Sequence, residues 1–274
     1  MALGYWQAKI WGLLNDPVFK ALHSNSGRGD NSFWRDLEVM KLWGKHNPEK
    51  STKKILKQIK LADYITSASD RSAIGSLTQF VNYDRETGLE LRHLLSGEPL
   101  DLKLADTTHK KIASNRTDYL KEQEKRLFNQ IPARLRTGIS ENEAKELFWW
   151  LWRCLPQAAA KLLDDENLLL MPAETRIPDG SIWSHASLTA AIAGALAGYD
   201  LTSEDVVNKW PTGKQLSHPY LVSFSFSPVQ ELIKASRKMG DFWAGSWILH
   251  YLSAQVCWQL AQQYGPDSLI YPSL

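Results

Sequence analysis

The stretch PAETRIPDGSIWSHASLTAAIAGAL, Pro172 to Leu196, sets a stiff loop bearing Asp179 against an apolar helix bearing His185. Pro172 and Pro178 fix their own φ and deny the preceding residues the helical region, so the segment arrives as a rigid loop with Glu174 and Arg176 between the prolines. The helix is predicted from about Ser181 to Leu196, with Leu188, Ile192 and Leu196 in register on one face. A carboxylate and an imidazole beside a capped helix are residue types that phosphodiester chemistry uses, so the loop either delivers metal ligands or only packs.

Outward from this segment, composition narrows the classes. At 274 residues, with 43% hydrophobic and 23% charged residues, the chain reads as an ordinary globular protein long enough for two domains. Its 32 basic and 30 acidic residues leave a formal charge of +2, so any nucleic-acid contact has to be local rather than driven by bulk charge. The two cysteines, Cys154 and Cys257, lie in apolar helical patterns; they are expected to be buried free thiols in a reducing cytoplasm, and they exclude a disulfide framework or a zinc quartet. The N-terminal MALGYWQAKIWGLL lacks a basic leader and carries Gln7 and Lys9 inside its apolar run, unlike a signal peptide. No apolar run reaches the roughly 18 residues of a membrane span. The 12 tryptophans are read as packing groups.

Helical periodicity places a buried opening helix over residues 5–14, ended by Asp16-Pro17. The polar loop from Ser24 to Ser32 leads to an aromatic-rich helix from Phe33 to Trp43. Residues 51–69 form an amphipathic helix with Ile55, Ile59, Ala62 and Ile65 on one side and Lys53, Lys54, Lys57 and Lys60 on the other, a solvated face that an RNA backbone or partner subunit can also use. From Glu86 the chain is turn-rich and weakly periodic. Ser140 and Glu143 have capping-box spacing ahead of LFWWLWRCL, a core helix expected to stop at Pro156. Asp164-Asp165 reads as a helix end. YLVSFSF, Tyr220 to Phe226, alternates with period two and predicts a strand, followed by Ser227, Pro228 and Gln230 as helix-start signals. A long helix from Asp241 to about Tyr264 then ends at Gly265-Pro266, before a second strand in SLIYPSL. One strand, two helices and a short final strand do not close a sheet, so a larger assembly is expected to complete it.

Four ordered blocks resemble one family, the large subunit of type III-B (Cmr-type) CRISPR effector complexes: Ala62 to Arg71, Leu91 to Leu102, Pro172 to Leu196, and Ser225 to Leu252 with the terminal GPDSLIYPSL. The resemblance implies a mainly α chain: a helical HD-like domain over residues 1–215, then over 216–274 the first half of an α+β, ferredoxin-like palm domain. Complete members sense target RNA on the crRNA complex, make cyclic oligoadenylate from ATP and in some cases cut single-stranded DNA. The implied partners are other type III effector subunits, crRNA and target RNA, and a chain supplying the rest of the palm and its GGDD signature, with no membrane. The GGDD pair that holds catalytic metals is absent here.

An HD site gathers neutral imidazoles and carboxylates around one or two divalent ions such as Mn²⁺, Ni²⁺ or Mg²⁺. The family's first helix ends in His-Asp-Pro, whereas this chain reads Asn15-Asp16-Pro17, and an amide is a poorer donor than imidazole. The family's P-D-H-S-I-W-D-H becomes PDGSIWSH, with Gly180 and Ser184 replacing a histidine and an aspartate. Vestigial catalytic candidates are therefore Asn15, Asp16, Asp179 and His185, and the metal set is Asp16, His185, Asp63 and Asp70. His23 and His46 read as polar loop residues. Gly245 and Ser246 are candidate nucleotide contacts near a helical start. The expected role is a scaffold with a degenerate nuclease site; the alternatives are a metal-dependent single-stranded DNA nuclease, and the nucleotide-binding half of a split cyclic-oligoadenylate synthase.

Overall fold

The computed structural model describes residues 3–23, 33–41, 51–71, 83–84, 86–93, 96–173, 180–197, 220–227 and 229–271. The chain divides into two compact units, Met1–Leu216 and Ser217–Leu274.

The first unit is built around α1, Leu3–Leu13, whose residues from Trp6 to Leu13 are all buried. A helix buried on every side has to be contacted on every side, and α1 packs against α2 (Ser51–Arg71), α5 (Glu141–Leu163) and α6 (Ile182–Leu196). Gly12 lets α1 approach α6 closely: a Cβ there would lie 2.9 Å from Ala190 Cα and 3.0 Å from Thr189 O. Even Lys9 is fully buried, its ammonium 5.2 Å from the Tyr5 ring centroid and 5.1 Å from that of Phe148, where the π faces attract a cation.

The turn-rich region after Glu86 contains an antiparallel hairpin, β1 (Leu89–Arg92) with β2 (Pro99–Leu102), paired Leu89 to Leu102 and Arg92 to Pro99. Its four-residue strands are too short for periodicity to reveal. The hairpin leads into α3, Asp106–Gln130, which kinks at Asn115 (φ −148°). The short α4 (Ala133–Thr137) then precedes α5.

The expected capping box starts α5: Glu143 N–H donates to Ser140 Oγ at 3.3 Å, and Glu143 Oε2 accepts from Ser140 N–H at 2.9 Å. The helix does not stop at Pro156, however, but continues to Leu163. One backbone bond is lost at the proline, yet Leu151, Leu155, Ala159 and Leu163 stay on a buried stripe, and tertiary burial outweighs the break. Asp164 (φ 51°) closes the helix in the left-handed region, and the Asp165 carboxylate takes the backbone N–H groups of Ala105 and Asn167, so the aspartate pair is a helix end and loop anchor.

Among the described residues of the second unit, α7 (Val229–Lys234) packs on α8 (Met239–Tyr264), which ends at Gly265 (φ 97°). The expected strand at Tyr220 to Phe226 pairs with nothing: among the described residues the hairpin β1–β2 is the sheet, and Tyr220, Leu221, Val222 and Phe224 are exposed. Nor is residue 269–271 a strand; a 3₁₀ turn, Pro266–Ser268, precedes it. A period-two pattern makes a strand only where a neighbour supplies the ladder. The cysteines are half-buried rather than buried. Tryptophans also divide: Trp6 and Trp11 pack in the first unit's core, whereas Trp243, Trp247 and Trp258 on α8 are exposed, against the packing expectation.

Candidate metal centre

The end of α1 and the facing sides of α2 and α6 form the site. Beyond Leu13 the helix tails off through Leu14 N–H donating to Ile10 O at 3.1 Å, and Pro17 prevents its renewal. Asp16 is thereby presented at the exit of α1. The chain turns at once, with Lys20 N–H donating to Pro17 O at 2.9 Å, into the 3₁₀ turn Lys20–Leu22. On the far side, Ser181 caps α6 by accepting from Ser184 N–H at 3.2 Å, which starts the helix one turn before His185.

His185 Nε2 stands 3.2 Å from Asp63 Oδ1 of α2 and 3.6 Å from Asp16 Oδ2. One turn further along the same α2–α6 seam, Thr189 Oγ1 donates to Thr66 Oγ1 at 3.2 Å, and Thr66 Oγ1 donates to Ala62 O at 3.0 Å. These two rungs follow from i, i+3 and i, i+4 spacing: Asp63 with Thr66, His185 with Thr189. The buried hydroxyl rung fixes the register that brings the carboxylate to the imidazole.

Asp16, Asp63 and His185 each offer a donor atom, and these atoms lie within 4.8 Å of one another. Adjacent donors around a small divalent ion with bonds of about 2.1 Å lie roughly 3 Å apart, so modest contraction fits the three to one ion. Two carboxylates and one imidazole suit Mn²⁺, Ni²⁺ or Mg²⁺ better than a thiolate-seeking metal. A ring nitrogen that ligates a metal carries no hydrogen, so an ion bound at Nε2 requires that nitrogen deprotonated.

Of the other candidates, Asn15 is half-buried, its N–H donating to Gly12 O at 3.4 Å. Asp179 lies outside the described residues, as does His46. Asp70 falls in the last turn of α2, seven residues and about 10 Å of helix beyond Asp63, with its side chain outside the described residues. The same holds for the Lys53 and Lys54 side chains, while Lys57 is half-buried and Lys60 exposed. His23 is no surface residue: it is buried, with Nε2 3.3 Å from Glu124 Oε1 of α3. Gly245 and Ser246 sit past the first turn of α8, where helical N–H groups already have partners, rather than at its start. Sequence reasoning missed Lys20, whose ammonium holds Asp16 Oδ2 at 2.7 Å; the i, i+4 spacing Asp16–Lys20 is the signal that was available.

A family model described as "CRISPR-associated protein Cmr2, N-terminal" matches residues 221–274. The chain is 28% identical over 176 residues to the "CRISPR system Cmr subunit Cmr2" of Pyrococcus furiosus, covering 63% of this chain and 17% of that protein. It is 29% identical over 103 residues to the corresponding subunit of Saccharolobus solfataricus, covering 38% of this chain and 8% of that protein. No solved structure matches. The class to which these likenesses point is that of CRISPR-associated effector subunits. Within it, the chain resembles the N-terminal part of the type III-B large subunit, Cmr2, and spans less than a fifth of the length of the curated relatives it matches.

Proposed function

We propose that this chain is an architectural part of a type III RNA-guided effector complex, docking through its second unit and carrying a residual single-metal site in its first. The observation that carries this reading is one face of α8: Trp243, Trp247, Ile248, Tyr251 and Trp258 are exposed, within the region matched by the Cmr2 family model. Trp247 and Tyr251 stack with ring centroids 5.4 Å apart, forming a preassembled apolar platform. An aromatic surface of this kind marks a contact with another polypeptide. The occupant that fits is a chain or segment supplying the remainder of the palm domain, with the other effector subunits, crRNA and target RNA assembled beyond it. Co-expression with a segment containing the second half of a relative's palm and its GGDD signature tests this. A stable one-to-one complex, lost in Trp247→Glu, is expected; two separately eluting proteins would sink the docking reading.

A second reading, a metal-dependent single-stranded DNA nuclease, is favoured by the Asp16–Asp63–His185 convergence. Bound there, a divalent ion would activate water and shield a phosphodiester. Asp63 would orient the His185 ring and Asp16 would supply a second carboxylate. Three donors suit one ion, whereas a two-metal clamp needs more, so the scaffold reading takes precedence. Cleavage of single-stranded DNA with Mn²⁺ or Ni²⁺, abolished by His185→Ala, would reverse that order. The ATP reading is proposed only for a complex completed by a GGDD-bearing chain, since Gly245 and Ser246 offer no free helix terminus.

A further inference from the structure

We infer that Lys20 is a built-in counter-ion that competes with a divalent cation for Asp16 and thereby sets the metal affinity of the site. The inference rests on reading Asp16, Asp63 and His185 as metal ligands. Lys20 Nζ lies 2.7 Å from Asp16 Oδ2, the same oxygen that faces His185 Nε2 at 3.6 Å. Both members of the ion pair are largely shielded, the Lys20 and Asp16 side chains being 17% and 16% exposed. The pair is therefore less screened than a surface bridge, and an unpaired Asp16 beside Asp63 would leave two carboxylates facing each other.

The geometry holds Lys20 in place. Its N–H is bonded to Pro17 O, and the proline fixes the turn that returns the side chain over Asp16, one residue earlier. Among the described residues, the ammonium pairs with Asp16 of the same turn, and Asp63 of α2 and His185 of α6 complete the cluster. With a neutral imidazole, two carboxylates and one ammonium leave a charge of −1, enough to attract a dication. That dication would have to take the Asp16 oxygen from Lys20 or sit against a positive charge a few ångströms away, and either way its affinity falls. The lysine thus does in the metal-free state what a metal would do: it keeps Asp16 turned toward Asp63 and His185.

The test is Mn²⁺ binding by isothermal titration calorimetry and by thermal denaturation, using the full chain stripped with EDTA, in wild type, Lys20→Met, Lys20→Arg and His185→Ala. Met keeps the apolar stem while removing the charge. Lys20→Met should bind one Mn²⁺ roughly tenfold more tightly than wild type, the scale expected for a shielded ion pair. In EDTA it should melt below wild type, with Mn²⁺ restoring the loss, while Lys20→Arg stays close to wild type. Mn²⁺ bound one-to-one with equal or lower affinity by Lys20→Met overturns the counter-ion role and leaves the metal site standing. Binding by none of the proteins, or undiminished binding by His185→Ala, overturns the metal reading and the counter-ion role with it.

Discussion

Glu124 is buried on α3 against His23, and burial is the main reason its carboxyl titrates above the ordinary 4.5, with the His23 contact and Lys121 only partly offsetting it. A carboxyl raised on folding costs stability above its folded pKa, because the native state then holds a charge it disfavours; the cost disappears below the unfolded value. Glu124→Gln should therefore be more stable than wild type at pH 7, and the gap should close as pH falls toward 4.5. Urea denaturation midpoints of both proteins across that range check the sign. Neither partner stands out in sequence, since His23 and Glu124 are 101 residues apart and only the packing of α3 makes them neighbours. By contrast, Asp16, Asp63 and His185 were each legible as residue types suited to metals, because two of them lie in segments with helical period and the third follows a proline-stopped helix. What spacing did not carry was their convergence, which is a property of three helices packed together.

At the scale of elements, periodicity located α2, and periodicity joined to a start or stop signal located α1, α5, α6 and α8. Periodicity failed where tertiary burial overrode a local signal, as at Pro156, and where elements were only four residues long, as in β1 and β2. The α1–α6 contact, which positions both Asp16 and His185, depends on Gly12. Gly12→Ala would force a methyl group into the Ala190 backbone and Ala193 Cβ, each about 3 Å away. Overpacking of this kind costs about 1–3 kcal/mol. A lowered thermal midpoint, together with weakened Mn²⁺ binding in a protein unchanged at Asp16, Asp63 and His185, is the expected result.

Over the whole molecule, the two units differ in where they keep their aromatic groups. The first unit encloses Trp6, with Phe148 at 5.8 Å between ring centroids, whereas α8 leaves Trp243 at 68% and Trp247 at 66% exposure. Composition reports tryptophan without saying which side of a surface it occupies, and an alternating segment such as Tyr220 to Phe226 reports strand propensity without its partner. That is why the helices of the second unit were readable while the exposure of its aromatic groups and the coil at Tyr220 to Phe226 were not. In the isolated chain, acrylamide should quench an accessible fraction of tryptophan emission that shrinks in the Trp243→Phe, Trp247→Phe double variant, Trp258 remaining among the accessible indoles. An unchanged quenching curve would mean that these indoles are covered. Among the described residues, no helix is long and apolar enough to cross a membrane.

The backbone on either side of Pro172 pairs with that around Ser181: Ala173 N–H donates to Gly180 O at 2.9 Å and Ile182 N–H donates to Met171 O at 2.8 Å. Those two bonds tie the start of α6 to the backbone at Met171 and Ala173. The Ala173 and Ile182 amides should therefore be protected from hydrogen exchange, a backbone clasp that holds the start of α6, and His185 one turn on, whatever side chains stand at either end of it.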